Sequence, residues 1–165
     1  LAFTRANVGY VHAIAHQFGG RYHTPHGLAN AIMLPLVLKY SLPEVTDRLA
    51  LLAVRAKLGK ESEGEDALAE KFLAAVVQLN RDLGIPTFLA ALKASDIPRL
   101  AEAACREAHT GYPVPRYMTQ AQCEDLIRQV LPPQTAREAA PKKAATARKP
   151  AAATRKPAPR AKKPA

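Results

Sequence analysis

Four of the chain's five histidines fall inside the stretch HAIAHQFGGRYHTPHG, His12 to Gly27. His12 and His16 stand four residues apart, so on a helix their imidazoles project side by side from one face. A helix can hand two ring nitrogens to one metal ion or one substrate at that spacing. His26 follows Pro25, which stiffens the approach to an apolar segment. A loop histidine of this kind, joined to helix histidines, completes part of a coordination sphere, and neutral imidazole suits Zn, Fe, Ni and Cu. The residues by themselves leave two readings open: metal-binding or catalytic groups, or polar residues on a helix surface or in a core.

The elements that must position these side chains read as helices. Val8, Val11, His12, Ala15 and His16 follow a 3.6-residue period, which predicts a helix whose two histidines share the face of the valines, ended by Gly19-Gly20. A short connection through Thr24-Pro25 leads to a strongly apolar helix from about Leu28, interrupted or kinked at Pro35. That stretch is apolar nearly all round, as in a helix buried in a bundle. A third helix is expected from Pro43 to Leu58, with Gly59 beyond it. An acidic approach opens a long helix from Glu65 to Leu83, closed by Gly84. A short helical piece is expected near Phe88 to Leu92, then a helix capped by Ser95 and running through Ala108. Thr119 with Gln122 forms a capping box for a last helix ending near Leu131. No strand pattern or internal repeat stands out, so residues 1–131 predict an all-α helical bundle.

Composition agrees. The chain has 165 residues, 48% of them hydrophobic and only 5% aromatic, with no Trp. That is enough for one domain with a real core, and it favours helix over strand. The net charge of +10 suggests a nucleic-acid binder until it is located. Residues 132–165 hold 10 of the 24 Lys and Arg and one of the 14 acids, Glu138, for a segment charge of +9. Residues 1–131 then carry 14 − 13 = +1 and offer no electrostatic footprint for a duplex. The Lys/Ala/Pro-rich segment 132–165 has no large apolar residue and is expected to be a disordered, cationic tail. Such a tail holds polyanions weakly and without sequence preference, or serves only to solubilise.

Cys105 and Cys123 are too few for a disulfide scaffold and are expected as buried or half-buried reduced thiols in a cytoplasmic protein. No run approaches the ~18 apolar residues of a membrane span, and the best candidate, Ala29 to Leu38, contains Asn30 and Pro35. The first residue is Leu1 rather than Met, and no secretory signal pattern follows it. The chain is therefore expected to be a piece of something longer.

The block AFTRANVGYVHAIAHQFGGRYHTPHGLANAIMLPLVLKY, residues 2–40, closely resembles the signature of the iron-containing (group III) alcohol dehydrogenases. RDLGIP at Arg81 to Pro86 and HTGYPVPRYMTQAQCEDLI at His109 to Ile127 extend the resemblance over residues 2–131, leaving the tail uncovered. It implies the C-terminal helical domain of a dehydroquinate synthase-like two-domain enzyme. It also implies a divalent iron, alternatively zinc, held by one Asp and three His. The last two of those histidines lie fourteen residues apart, the first in a G-x-x-H-x-x-x-H helix and the second in P-H-G. Gly9 to His16 and Pro25-His26-Gly27 match, and 26 − 12 = 14, so the resemblance assigns His12 and His26 as metal ligands. His16 matches a second helix histidine that the resemblance implies faces the site without binding metal, and either assists proton transfer or contacts the nicotinamide or substrate. Phe18-Gly19-Gly20 is similar to a small-residue step where backbone approaches the cofactor, which makes Phe18 and Gly19 cofactor-binding candidates. His23 is read as a non-ligand and His109 as a polar helix-end residue. One departure is Leu36, where members often carry His in an L-P-H.

The family's other half is implied to be an α/β domain holding NAD or NADP on a Gly-rich phosphate turn. No G-x-G-x-x-G occurs here, and the D-x-x-x-H helix that supplies the remaining Asp and His ligands is missing too; it would have preceded Leu1. The resemblance thus implies part of a metal-dependent NAD(P) alcohol dehydrogenase, expected to be inactive as this chain alone. Small alcohols and aldehydes are its implied substrates, a homo-oligomer its implied state, and no membrane is involved. A different class of function also fits the composition: a non-enzymatic remnant domain carrying a nucleic-acid-binding basic tail.

Overall fold

The computed structural model describes residues 7–133, so the disorder expected of the tail lies, from residue 134 on, outside the described residues. The described chain is helical throughout, with turns between the helices and no strand among the described residues.

Helix α1 (Tyr10–Tyr22) buries Tyr10, Ala13, Ile14, Ala15 and Phe18. That stripe is its core side; on the face that the histidines share with the valines, Val8, Val11 and His12 are half-buried and His16 is exposed. The helix also runs straight through Gly19-Gly20. Two glycines cost it about 1 kcal/mol each relative to Ala, but its last turn is tied down from outside. Tyr22 donates its hydroxyl to Asp96 Oδ2 at 2.8 Å, and Arg21 reaches the same carboxylate at 3.2 and 3.3 Å. The stop falls instead at His23, which takes the left-handed conformation (φ +55°) and donates its N–H to the Gly19 carbonyl at 2.9 Å.

Helix α2 (His26–Arg55) merges the two helices expected before and after Pro43, with a break at Val45, where φ is −139° and ψ 15°. Pro35 cannot donate to the Ala31 carbonyl. The Asn80 side-chain amide donates to that carbonyl at 2.7 Å, so the ladder continues. Nor is α2 buried all round. Its first half puts Ala29, Ile32, Met33 and Val37 into the main core. Past the break, Val45, Leu49, Ala50 and Ala53 pair with Leu68 and Ala69 of the next long helix, while Leu51 and Leu52 face outward.

Helix α3 (Glu65–Asp82) starts with Glu65 and Asp66 in its first turn, where their charges oppose the helix dipole. It ends at Gly84 (φ +68°), whose N–H meets the Arg81 carbonyl while Ile85 reaches back to Asn80, a Schellman closure as the glycine predicts. The piece around Phe88 to Leu92 is not a helix. Leu89 donates its N–H to Val130 near the end of the chain at 2.9 Å, which pins the segment as a turn. A 3₁₀ turn (Ala94–Asp96) enters α4 (Ile97–Ala108), so Asp96 rather than Ser95 stands at the helix start. Helix α5 (Gln120–Arg128) carries the expected capping box: Thr119 accepts from the Gln122 N–H, and Gln122 accepts from Thr119.

The main core joins α1, the first half of α2, α4 and α5. Cys105 and Cys123 lie in it as free thiols, both pushed to higher pKa chiefly by burial. Among the described residues no helix is long and apolar enough to cross a membrane.

Candidate metal and proton-transfer site

The turn from His23 to Pro25 folds the start of α2 back beside α1, which brings His26 against the two histidines of α1. Ring centroids are 5.2 Å apart for His12 and His26, 5.4 Å for His16 and His26, and 6.0 Å for His12 and His16. His16 stacks on His26 with an interplanar angle of 20°. The three histidines singled out by spacing and resemblance therefore share one site. His23, the helix stop, is not among them, and His109 sits elsewhere as the C-cap of α4, where the Tyr10 hydroxyl meets its Nε2 at 2.7 Å.

The pair His12 and His26 fits a shared metal ion. Two imidazoles whose nitrogens each sit about 2.1 Å from one ion place their ring centroids roughly 5 Å apart. His12 also has its pKa lowered, first by burial and then by the neighbouring His26 and His16, with Glu107 opposing. A neutral imidazole is the form that ligates. Among the described residues no three or more His, Cys, Asp or Glu converge as a complete metal set. Asn30, one turn into α2, donates its amide to His26 Nε2 at 3.0 Å and to the His26 carbonyl at 2.9 Å. Its Oδ1 is buried with no hydrogen-bond partner in the protein, an unsatisfied polar atom beside the His26 ring.

Phe18 lies four residues from Ile14 on the core stripe and its ring is fully buried. The side chain therefore faces protein, and any ligand approach at this step runs through the half-buried backbone at Gly19. A Cβ at Gly19 would lie 3.8 Å from the Thr24 carbonyl oxygen, an ordinary van der Waals contact, so the turn itself does not require glycine there. His12 also forms one wall of an open cavity of about 450 Å³ whose other walls, among them Val8, Leu34, Leu38, Leu49 and Val114, are largely apolar.

Sequence reasoning missed the carboxylate of the site. Glu107, in the last turn of α4, meets His16 Nδ1 at 2.6 Å through Oε1. The same oxygen accepts from the Tyr112 hydroxyl at 2.8 Å, and Oε2 accepts from the Gln17 amide at 2.9 Å. Glu107 is 91 residues from His16. No periodicity or local motif links them; the REAHTGY stretch after a helical pattern was the only trace, and it does not say where α4 docks.

Comparison with known proteins places the chain. The profile of the Fe-containing alcohol dehydrogenase family, C-terminal, matches residues 1–131. The chain is 40% identical over 133 residues to 1,3-propanediol dehydrogenase of Klebsiella pneumoniae, covering 78% of this chain and 34% of that protein. It is 38% identical over 117 residues to lactaldehyde reductase of Escherichia coli K12, covering 67% and 30%. It is also 40% identical over 134 residues to alcohol dehydrogenase 4 of Saccharomyces cerevisiae S288c, covering 78% and 33%. Among solved structures, a 1,3-propanediol oxidoreductase superposes with a TM-score of 0.73 at 37% identity, over 79% of this chain and 34% of the other. An alcohol dehydrogenase from Oenococcus oeni gives 0.71 at 34% identity, over 78% and 34%. This chain belongs to the iron-containing alcohol dehydrogenase family and has the all-α fold of its C-terminal domain. It spans about a third of the length of the curated relatives it matches.

Proposed function

We propose that this chain is the metal-binding helical part of an NAD(P)-dependent dehydrogenase that interconverts a small alcohol and its aldehyde or ketone. The observation that carries the reading is the meeting of His12, His16 and His26 across the α1–α2 turn in a chain that matches this family over residues 1–131. In this reading residues 1–131 form the iron-binding domain and residues 132–165 a separate cationic tail.

His12 and His26 would hold Fe2+, or Zn2+, together with donors from outside this chain. The ion would supply Lewis acidity toward an alcohol oxygen, and NAD or NADP, held mainly by a nucleotide-binding domain, would supply the hydride-accepting ring. His16 stands beside the ligand pair without belonging to it and accepts or relays the hydroxyl proton. The Gly19 backbone lets a flat ring come close to the helix, and Phe18 anchors that turn of the helix in the core. With two donors and no phosphate turn, the chain alone binds metal weakly and turns over no alcohol.

Titration of the metal-free chain with Co2+, followed by its visible absorption, tests the ligand assignment. The reading requires a signal that His12→Asn and His26→Asn each abolish and His16→Asn retains. Loss on His16→Asn with retention on His12→Asn would reverse the assignment.

A remnant domain with a polyanion-binding tail is the second reading. Its support is the +9 charge of residues 132–165 against +1 for the rest.

A further inference from the structure

Glu107 gathers three donors onto one carboxylate. His16, Gln17 and Tyr112 all reach it, from α1 on one side and from the loop after α4 on the other. A carboxylate only accepts, so a neutral His16 that hydrogen-bonds to it must carry its ring proton on Nδ1. That leaves Nε2 as the basic nitrogen. The contact is partly open, with side-chain exposures of 42% for His16 and 27% for Glu107, so its worth lies in direction and tautomer more than in stability. Gln17 holds the carboxylate from the next position on the same helix, and its amide also donates to the Ala13 carbonyl at 3.0 Å, which limits its own freedom. Tyr112 holds it from the far side. The carboxylate is thus fixed before His16 meets it, and the imidazole is held by an oriented acceptor rather than by a mobile surface group.

We propose that Glu107 is a positioning residue for His16, selecting the tautomer protonated on Nδ1 so that Nε2 presents a lone pair beside the His12–His26 pair. Its catalytic consequence rests on the dehydrogenase reading; the tautomer does not. In the reaction His16 Nε2 accepts the proton that the alcohol oxygen gives up, and the Glu107 carboxylate balances the imidazolium that forms, without itself taking the proton. The same arrangement gives the Tyr112 hydroxyl a use: it donates to the Glu107 oxygen that also meets His16, and so helps hold that oxygen toward the imidazole.

The test is long-range 1H–15N NMR of the full chain with 15N-labelled histidine at a pH where His16 is neutral. The expected wild-type pattern for His16 is a protonated Nδ1 and an unprotonated Nε2. Glu107→Gln, whose amide can present an N–H to the ring, is expected to lose that preference, and Glu107→Asp to retain it. Tyr112→Phe removes a donor without touching the His16 contact and is expected to leave the tautomer as it is. A wild-type His16 protonated on Nε2, or an unchanged pattern in Glu107→Gln, overturns the proposal. So does the same change in Tyr112→Phe as in Glu107→Gln, which would report a general loosening. Zn2+ titration of the same samples separates the two layers. Glu107→Gln is expected to alter Zn2+ affinity by less than the roughly tenfold that loss of a true ligand's partner costs. A larger drop would make His16 a ligand and overturn its role as a base. If the wild-type chain binds Zn2+ and His12→Asn and His26→Asn leave that binding unchanged, the dehydrogenase reading fails while the tautomer still decides the role of Glu107.

Discussion

Asn80 of α3 donates its side-chain amide to the Ala31 carbonyl of α2, the acceptor that Pro35 leaves without an N–H. One side chain therefore repairs the helix that positions His26. Asn80→Ala should lower stability by about 1–3 kcal/mol, the cost of an unsatisfied buried carbonyl. In a Pro35→Ala background, where the new alanine restores the N–H, the same substitution should cost clearly less. Urea unfolding of the four proteins in this cycle checks the coupling; equal costs in both backgrounds would disprove it.

The His12 pKa is lowered by burial and by two neighbouring imidazoles. A group that holds its proton less well in the folded state than in the unfolded state makes the unfolded chain the better proton binder. Stability is then fully present above the ordinary histidine pKa of about 6.5 and is lost as the pH falls from there toward the lower folded value. Thermal melts between pH 8 and pH 5 should show this decline, and His12→Gln should flatten it.

A Cβ at Gly59 would lie 2.6 Å from Leu68 Cδ2 and 2.9 Å from Glu63 Oε1, so the buried Leu68 and the Glu63 side chain must both shift to admit one. Leu68 belongs to the contact between α3 and the second half of α2. Gly59→Ala should destabilise the chain by about 1–3 kcal/mol through overpacking, read by chemical unfolding, and a small-side-chain change at Leu68 should relieve part of it.

The basic segment gives a prediction of its own. If it engages polyanions, the full chain should bind duplex DNA at 50 mM salt and lose about 10³–10⁵ in affinity by 200 mM, as for a protein making 6–10 phosphate contacts. A chain ending at Leu131 should not bind at all. Binding that ignores salt would rule out counterion release as its source.

What the sequence made legible was local. The Thr119–Gln122 box and Gly84 each act within a turn, so α5 and the end of α3 stood where their residues predicted. The histidine cluster was legible too, because the fourteen residues from His12 to His26 hold one helix and one tight turn. Three features depended on distant partners and were not legible. Helix α2 outlasts Pro35 through Asn80, far along the chain. Leu89 gives its N–H to Val130 instead of a helix. Glu107 reaches His16 only once α4 has docked. The core stripe of α1 was not legible: Val8 and Val11 line the cavity beside His12, as the shared face predicted, whereas Tyr10, with its polar hydroxyl, is buried. That hydroxyl is satisfied by His109 and the Met118 N–H, a pairing no helical period reveals.

The left-handed residue at His23 ends one helix three residues before the next begins, and this makes the His12–His26 contact a short-loop contact, whereas the contact between His16 and Glu107 is a long one. Closing a loop of some fourteen residues costs little chain entropy, while joining residues 16 and 107 costs more. The histidine pair should therefore assemble early in folding and the carboxylate arrive late. The imidazoles of His12 and His26 would then meet on a nascent helical hairpin, before His16 had found the Glu107 carboxylate.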